Sequence, residues 1–99
     1  MNILLLCSAG MSTSLLVNRM IESAKARGVE ARIEAHPVGQ VAHDGIEADV
    51  ILLGPQVRFE LNNTRKKFPN KPVDVINMQD YGMMRGDKVL DQALKLLGK

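Results

Sequence analysis

Four short apolar runs alternate along the chain with longer stretches in which apolar residues recur every three or four positions. Ile3 to Leu6 and Val50 to Leu53 are apolar throughout, as expected of central strands in a parallel sheet covered on both faces. Val29 to Ala35 alternates apolar and polar residues, which predicts a strand covered on one face. Val73 to Ile76 is short and carries Asp74, and it fits the opposite edge. Between these runs, Leu16, Val17, Met20, Ile21 and Ala24 make one face of a first helix. Ser12, Thr13 or Ser14 can cap its start and Gly28 can close its end. Val38 to Asp44 reads as a short second helix ended by Gly45, and Val57 to Phe68 as a third stopped by Pro69. Asp87 to Leu97 is the last, with Val89, Leu90, Ala93, Leu94 and Leu97 as its buried stripe.

This βαβα order predicts a three-layer α/β fold: a four-stranded parallel sheet with helices on both faces, over one domain spanning residues 1–99. Right-handed crossovers with the two uniformly apolar strands in the middle give strand order 2-1-3-4. Ligands of such sheets bind beyond the carboxyl ends of the strands, where the crossover direction switches. That point lies between strands 1 and 3. Cys7 follows strand 1 and Gly54-Pro55-Gln56 follows strand 3, so the two loops should face each other.

Composition narrows the function. The formal net charge of +2 is too small to argue for nucleic acid. A single cysteine makes neither an internal disulfide nor a multi-thiolate metal site, and it fits a reducing compartment. The longest apolar run falls far short of the roughly 20 residues that span a bilayer. Met1-Asn2 leads directly into the first strand with no basic leader before it. The expectation is a cytoplasmic protein without direct membrane insertion, whose anchoring at any membrane falls to another chain.

The segment Cys7-Ser8-Ala9-Gly10-Met11-Ser12-Thr13-Ser14 carries the candidate chemistry. A strand–loop–helix junction of this kind points successive backbone N–H groups into one hollow, where an anion can sit. Gly10 lets those groups converge, and Ser12, Thr13 and Ser14 add hydroxyls. A thiolate at the mouth of the hollow is stabilised by the same donors and by the positive end of the helix. The bland alternatives are a small buried cysteine and an ordinary helix-capping turn. The run is not a Walker loop, since no Lys precedes its Ser/Thr pair, and it lacks the three spaced glycines of a dinucleotide fingerprint. His36 and His43 are too isolated to suggest a metal pair, and no metal or cofactor is implied. Arg65-Lys66-Lys67 reads as a solvated helix end complementing the helix dipole, with docking on an acidic partner the sharper alternative. Met11, Met78, Met83 and Met84 offer soft contact surface or core, and Asp80 reads as a turn residue, with a general acid the sharper alternative.

Cys7 through Val17 resembles the active-site segment of the enzyme IIB components of the bacterial sugar phosphotransferase system, lactose/cellobiose (diacetylchitobiose) type. Ala48 through Val57 resembles that family's third strand and following loop. Pro69-Asn70-Lys71-Pro72-Val73 and Tyr81-Gly82 are also similar to it, while Ala35 to Glu47 matches less distinctly. The resemblance implies a phosphocarrier. Cys7 would accept a phosphoryl group from a phosphohistidine of a IIA component, with Ser8 to Ser14 cradling the phosphoryl oxygens. It would then pass the group to a sugar, such as a β-linked disaccharide, carried by a membrane IIC permease. The rival is a small tyrosine phosphatase, a class similar in fold and in placing a cysteine loop after strand 1. Its loop ends in an arginine six positions after the cysteine, where this chain has Thr13. A flavodoxin-like FMN binder is a third reading; it wants aromatic faces, and only Tyr81 is at hand.

Overall fold

The computed structural model describes residues 1–8 and 14–98. Its strands are β1 (Asn2–Cys7), β2 (Arg32–Pro37), β3 (Val50–Leu53) and β4 (Val73–Val75), all parallel, in the order β2-β1-β3-β4. The helices are α1 (Ser14–Ala26), α2 (Val41–Asp44), α3 (Leu61–Lys67), α4 (Met78–Gly82) and α5 (Gly86–Leu96). Short 3-10 turns cover Val38–Gln40, Gly45–Glu47 and Pro55–Glu60. None of the described helices is long and apolar enough to cross a membrane.

The expected strand order is the observed one. Register explains the two cores. Ile3 stands beside Ile33 and Val50, and Leu4 beside Ile51, which in turn faces Val73. Because side chains alternate along each strand, Ile3, Leu5, Ile33, Val50 and Leu52 face one side together. There they pack against Leu16, Met20 and Ala24 of α1 and Val89, Leu90 and Ala93 of α5. Leu4, Leu6, Ile51, Leu53 and Val73 face the other side, under Val41 of α2 and under Val57, Leu61 and Phe68 of the α3 segment.

Boundaries differ from the sequence reading for physical reasons. The second strand begins three residues late, at Arg32 instead of Val29. Gly28, at φ +68°, closes α1 as Val29 N–H reaches back to the Ala24 carbonyl and Gly28 N–H to that of Lys25. β1 offers partners only from its own first residues, where Arg32 N–H bonds the Met1 carbonyl. Val29 and Ala31 keep the predicted inward parity and pack against the core without strand partners. The fourth strand stops at Val75, one residue short of the expected end.

The predicted second helix is divided between Val38–Gln40 and α2. The predicted third helix is a 3-10 turn followed by α3, with Val57 at φ −116°, ψ 23° interrupting the helical path. Thr64, buried in α3, donates its hydroxyl to the Glu60 carbonyl at 2.8 Å.

Helix α4, absent from the sequence reading, starts on Asn77, whose side-chain oxygen accepts from Gln79 N–H at 3.0 Å and Asp80 N–H at 3.1 Å. Asp80 thus lies in a first helical turn, where its charge suits the dipole, and not in an open turn. The helix ends through Met84, at φ +53°, with Arg85 N–H on the Asp80 carbonyl and Met84 N–H on that of Tyr81. A glycine normally occupies this left-handed closing position.

The tightest helix contact is α1 on α5. A Cβ placed on Gly86 would lie 2.5 Å from the backbone carbonyl carbon of Arg19 and from the nitrogen of Met20. Backbone cannot step aside as a flexible side chain can. Gly86→Ala is therefore expected to destabilise the fold by about 2 kcal/mol, the scale of overpacking in a well-filled core. Gly39→Ala, where a Cβ meets nothing within 4 Å, should stay within about 0.5 kcal/mol of wild type. Urea unfolding of the two variants checks the contrast.

The same helices are joined by Arg27, which pairs with Asp91 and donates to the Asp87 carbonyl at 3.1 Å. The hydrogen bond from Arg27 lowers the Asp91 carboxyl pKa below its ordinary value, and the bond to Asp91 raises that of Arg27. A lowered folded-state carboxyl pKa contributes stability above the unfolded value, and that stability is lost as pH falls through the folded one. Both groups are well exposed, so the gain is a few tenths of about 1 kcal/mol. Asp91→Asn should be slightly less stable than wild type at neutral pH, and the gap should close as pH falls towards about 3. Parallel denaturation series at several pH values measure it.

Candidate functional site at the carboxyl edge of the sheet

β1 is apolar on both faces and hydrogen-bonded on both sides, so its last residue is held at a defined place. That residue is Cys7, paired with Pro37 of β2. Ser8 follows, exposed, in a bend, and α1 begins at Ser14. Of the predicted phosphate-cradling residues, Ala9, Gly10, Met11, Ser12 and Thr13 lie outside the described residues. Cys7, Ser8 and Ser14 lie where the sequence reading put them, at the end of the first strand, just beyond it and at the start of the first helix.

Cys7 itself differs from the expectation of a thiol at the mouth of a hollow. It is 1% exposed, and its Sγ–H points to the His36 carbonyl oxygen at 3.8 Å. The adjoining strand β2 provides that acceptor because its register carries His36 opposite Leu6. The His36 ring is a separate matter. Alternation turns it, with Glu34, toward the α2 side of the sheet, away from the face shared by Ile3, Leu5 and Cys7. There its Nε2 lies 3.2 Å from a Glu34 carboxylate oxygen and its Nδ1 lies 3.5 Å from Asp44. These residues, with Arg32 and Ile46, line a groove of about 310 Å³ between β2 and α2. The groove is on the wrong face to hold a group attached to the thiol.

The loop after β3 does reach the cysteine edge. Gly54 N–H bonds the Leu6 carbonyl at 2.8 Å, one residue before Cys7. Ile76 N–H likewise bonds the Leu53 carbonyl, which draws the exit of β4 to the same edge. Gly54 sits close to its neighbours here. A Cβ there would lie 3.0 Å from Gln56 Oε1, 3.4 Å from the Leu6 carbonyl oxygen and 3.6 Å from the Tyr81 ring. The loop after β3 therefore reaches the end of β1, whereas the loop it was expected to face, after Ser8, lies outside the described residues.

Tyr81 reads from the sequence as part of a pair with Gly82 and as the one aromatic at hand for a flavin; its place in α4 makes it a wall of this edge. It is 6% exposed and packs into the α1–α5 core, so its ring has no open face for a flavin to stack on. The signal that could have located it is the run Asn77-Met78-Gln79-Asp80, a capping residue followed at the third helical position by a carboxylate. Met84 packs against the core, whereas Met78 and Met83 are exposed. Phe59, in the turn that follows Gly54, is the most exposed large apolar side chain described, at 73%. Among the described residues, no three His, Cys, Asp or Glu side chains come together in a way that could hold a metal ion.

Chemically, the described part of the edge offers the Cys7 sulfur at the end of a strand paired on both sides, with α1 beginning at Ser14. Residues 2–92 match the family described as PTS system, lactose/cellobiose specific IIB subunit. Two relatives from Lactococcus lactis are each 46% identical over 96% of this chain and 94% of their own length. One is the galactose-specific EIIB component of the PTS system of subspecies cremoris, strain MG1363, and the other the cellobiose-specific EIIB component of subspecies lactis, strain IL1403. The solution structure of the cellobiose-specific phosphotransferase IIB component from Borrelia burgdorferi superposes with a TM-score of 0.82 at 42% identity, over 99% of this chain and 92% of that one. With the four-stranded parallel sheet, its 2-1-3-4 order and the cysteine at the switch point, these likenesses have one meaning: the chain belongs to the lactose/cellobiose-specific IIB subunits of the sugar phosphotransferase system.

Proposed function

We propose that Cys7 is the phosphoryl carrier of this phosphotransferase component, and that the segment Ser8 to Ser14 holds the phosphoryl oxygens while the group is on sulfur. The observation that carries the reading is the position of Cys7: the last residue of the central strand, at the switch point of a parallel sheet, directly before the segment that leads into α1. Backbone N–H groups ahead of a helix favour three anionic oxygens, and phosphoryl transfer asks mainly for position and charge stabilisation.

As a IIB component the chain works with a IIA component, a IIC component and a sugar. In the proposed sequence the Cys7 thiolate attacks the phosphorus of a phosphohistidine on IIA. The S–P bond forms as the P–N bond breaks, the imidazole leaves, and the thiol proton has gone to solvent. A sugar hydroxyl at the membrane-embedded IIC permease then attacks the same phosphorus. The O–P bond forms, the S–P bond breaks, the thiolate returns and the hydroxyl proton is released. The protein stays cytoplasmic throughout.

In the resting protein the Cys7 sulfur lies 3.8 Å from the His36 carbonyl oxygen. Of the sugars, a β-linked disaccharide of the cellobiose kind is proposed. Two relatives at equal identity are named for galactose and for cellobiose, which supports assigning the choice of sugar to the permease.

Mixing the purified protein with a phosphorylated IIA component should add one phosphoryl group, located on Cys7 by mass spectrometry. Cys7→Ser should acquire none, and label that survives the substitution defeats the assignment. The phosphatase alternative is not favoured, since Thr13 stands where that class carries its phosphate-clamping arginine. Offered an aryl phosphate, wild type should release essentially no inorganic phosphate. Sustained turnover abolished by Cys7→Ser would reverse the ranking.

A further inference from the structure

Strand β2 leaves the sheet at the level of the Cys7 sulfur. Its last residue, Pro37, stands opposite Cys7 and has no N–H to give to β1. The residue before it, His36, is engaged in two directions. Its carbonyl oxygen accepts from Cys7 Sγ at 3.8 Å. Its ring lies on the α2 face between two carboxylates, with Nε2 3.2 Å from Glu34 Oε1 and Nδ1 3.5 Å from Asp44 Oδ2. Carboxylates only accept, so a ring nitrogen that holds one of them does so as a donor.

The Asp44 arm is the informative one. Glu34 belongs to the same strand as His36, so their contact ties that strand to nothing else. Asp44 ends α2, after the chain has turned away from the sheet through Val38–Gln40. Its side chain is 16% exposed, and Oδ2 is buried without a hydrogen-bond partner among the described residues. A buried carboxylate oxygen is costly unless a donor or a cation faces it, and here the His36 ring does. The other oxygen, Oδ1, lies 3.2 Å from Nδ1 of the exposed His43. The electrostatic demand of Asp44 therefore falls on the residue whose carbonyl receives the thiol.

We propose that His36 is a positioning residue for Cys7. Its ring, tied to Asp44, anchors the end of β2 to α2, and the anchored strand end sets the carbonyl that keeps the sulfur turned inward at 1% exposure. For its effect on transfer the proposal rests on the phosphocarrier reading. It adds a pair of side chains that act on Cys7 through backbone and not through the phosphoryl group. The ring is on the α2 face, away from the face that Cys7 shares with Ile3 and Leu5, so its loss changes where the sulfur sits and not what the donor touches. In-line transfer is sensitive to such displacements.

The experiment compares wild type with His36→Ala, Asp44→Ala, the double variant and His36→Gln. Arg32→Gln, on the Glu34 side of the same groove, is the control. One readout is alkylation of Cys7 by iodoacetamide in the free protein at fixed pH, which needs no partner. The other is phosphoryl transfer from a phosphorylated IIA component. His36→Ala and Asp44→Ala should each speed alkylation about threefold, the scale of one partly exposed ionic contact. The double variant should match the singles, because the two residues act as one unit. His36→Gln keeps a donor amide near Asp44 and should recover most of the difference, and Arg32→Gln should behave as wild type. The saturated transfer rate of both alanine variants should fall by about tenfold, with the donor KM within about twofold of wild type. Alkylation equal to wild type in both alanine variants overturns the proposal. So does a double variant whose effect is the product of the singles, or a donor KM that rises as the rate falls. Lower stability in urea with both readouts unchanged makes the pair a packing contact only and overturns it as well. Wild type that never becomes phosphorylated, while alkylation still follows the His36–Asp44 pair, strikes the phosphocarrier reading and leaves the positioning role standing.

Discussion

The pairing of β1 between β2 and β3 is the constraint on which the rest of this molecule depends. Its residues Ile3 to Leu6 are buried on both faces while their backbone groups are bonded on both sides. A strand in that position cannot slide by one residue without driving every side chain to the wrong core. It cannot tilt without breaking two ladders. The position of Cys7 is therefore fixed by the packing of residues up to five places before it. A group that must accept and release a phosphoryl unit between two other proteins benefits from such a fixed origin, because in-line transfer is sensitive to small displacements.

Everything around the cysteine edge is arranged against that strand. Gly54 bonds the carbonyl of Leu6 and Ile76 bonds that of Leu53, so the exits of β3 and β4 are tied to β1 and β3 in turn. Tyr81 walls the same edge because Asn77 starts a short helix there and Met84 ends it in a left-handed conformation. Gln92 secures this corner from α5, donating to the Val75 carbonyl at 2.8 Å and accepting from Asn77 N–H. On the opposite layer, Lys71 donates to the Gly45 and Ile46 carbonyls and lies 5.2 Å from the centre of the Phe68 ring. That explains the place of Lys71 in the Pro69-Asn70-Lys71-Pro72 turn: it pins the approach to β4 onto the turn that precedes β3. The site is thus supported by caps and turns whose partners lie far away in the chain.

The charge pattern separates tasks between the two helical layers. On the α1–α5 layer, acids and bases alternate and Arg27 pairs with Asp91, which serves stability. On the other layer, Arg58, Arg65, Lys66 and Lys67 lie exposed along one short segment. The net charge of +2 does not show how these charges are placed. A composition-level argument about partners could exclude nucleic acid but could not register a local basic face.

The sequence by itself determined the strand order, the inward parity of the alternating second strand and the residue at the switch point. Uniform apolarity over Ile3 to Leu6 and Val50 to Leu53 can be satisfied only in the middle of a covered sheet, and the alternation of Ile33 and Ala35 with charged neighbours only at an edge. Tertiary structure alone decided where β2 starts, since a strand extends only as far as its neighbour supplies hydrogen bonds. It decided the break at Val57 and the existence of α4, five residues too short to show a helical period and held by Asn77 and by packing of Tyr81. It also decided that the Cys7 sulfur rests buried against the His36 carbonyl: that contact joins residues 29 apart, and no local pattern of side chains encodes the register that brings them together.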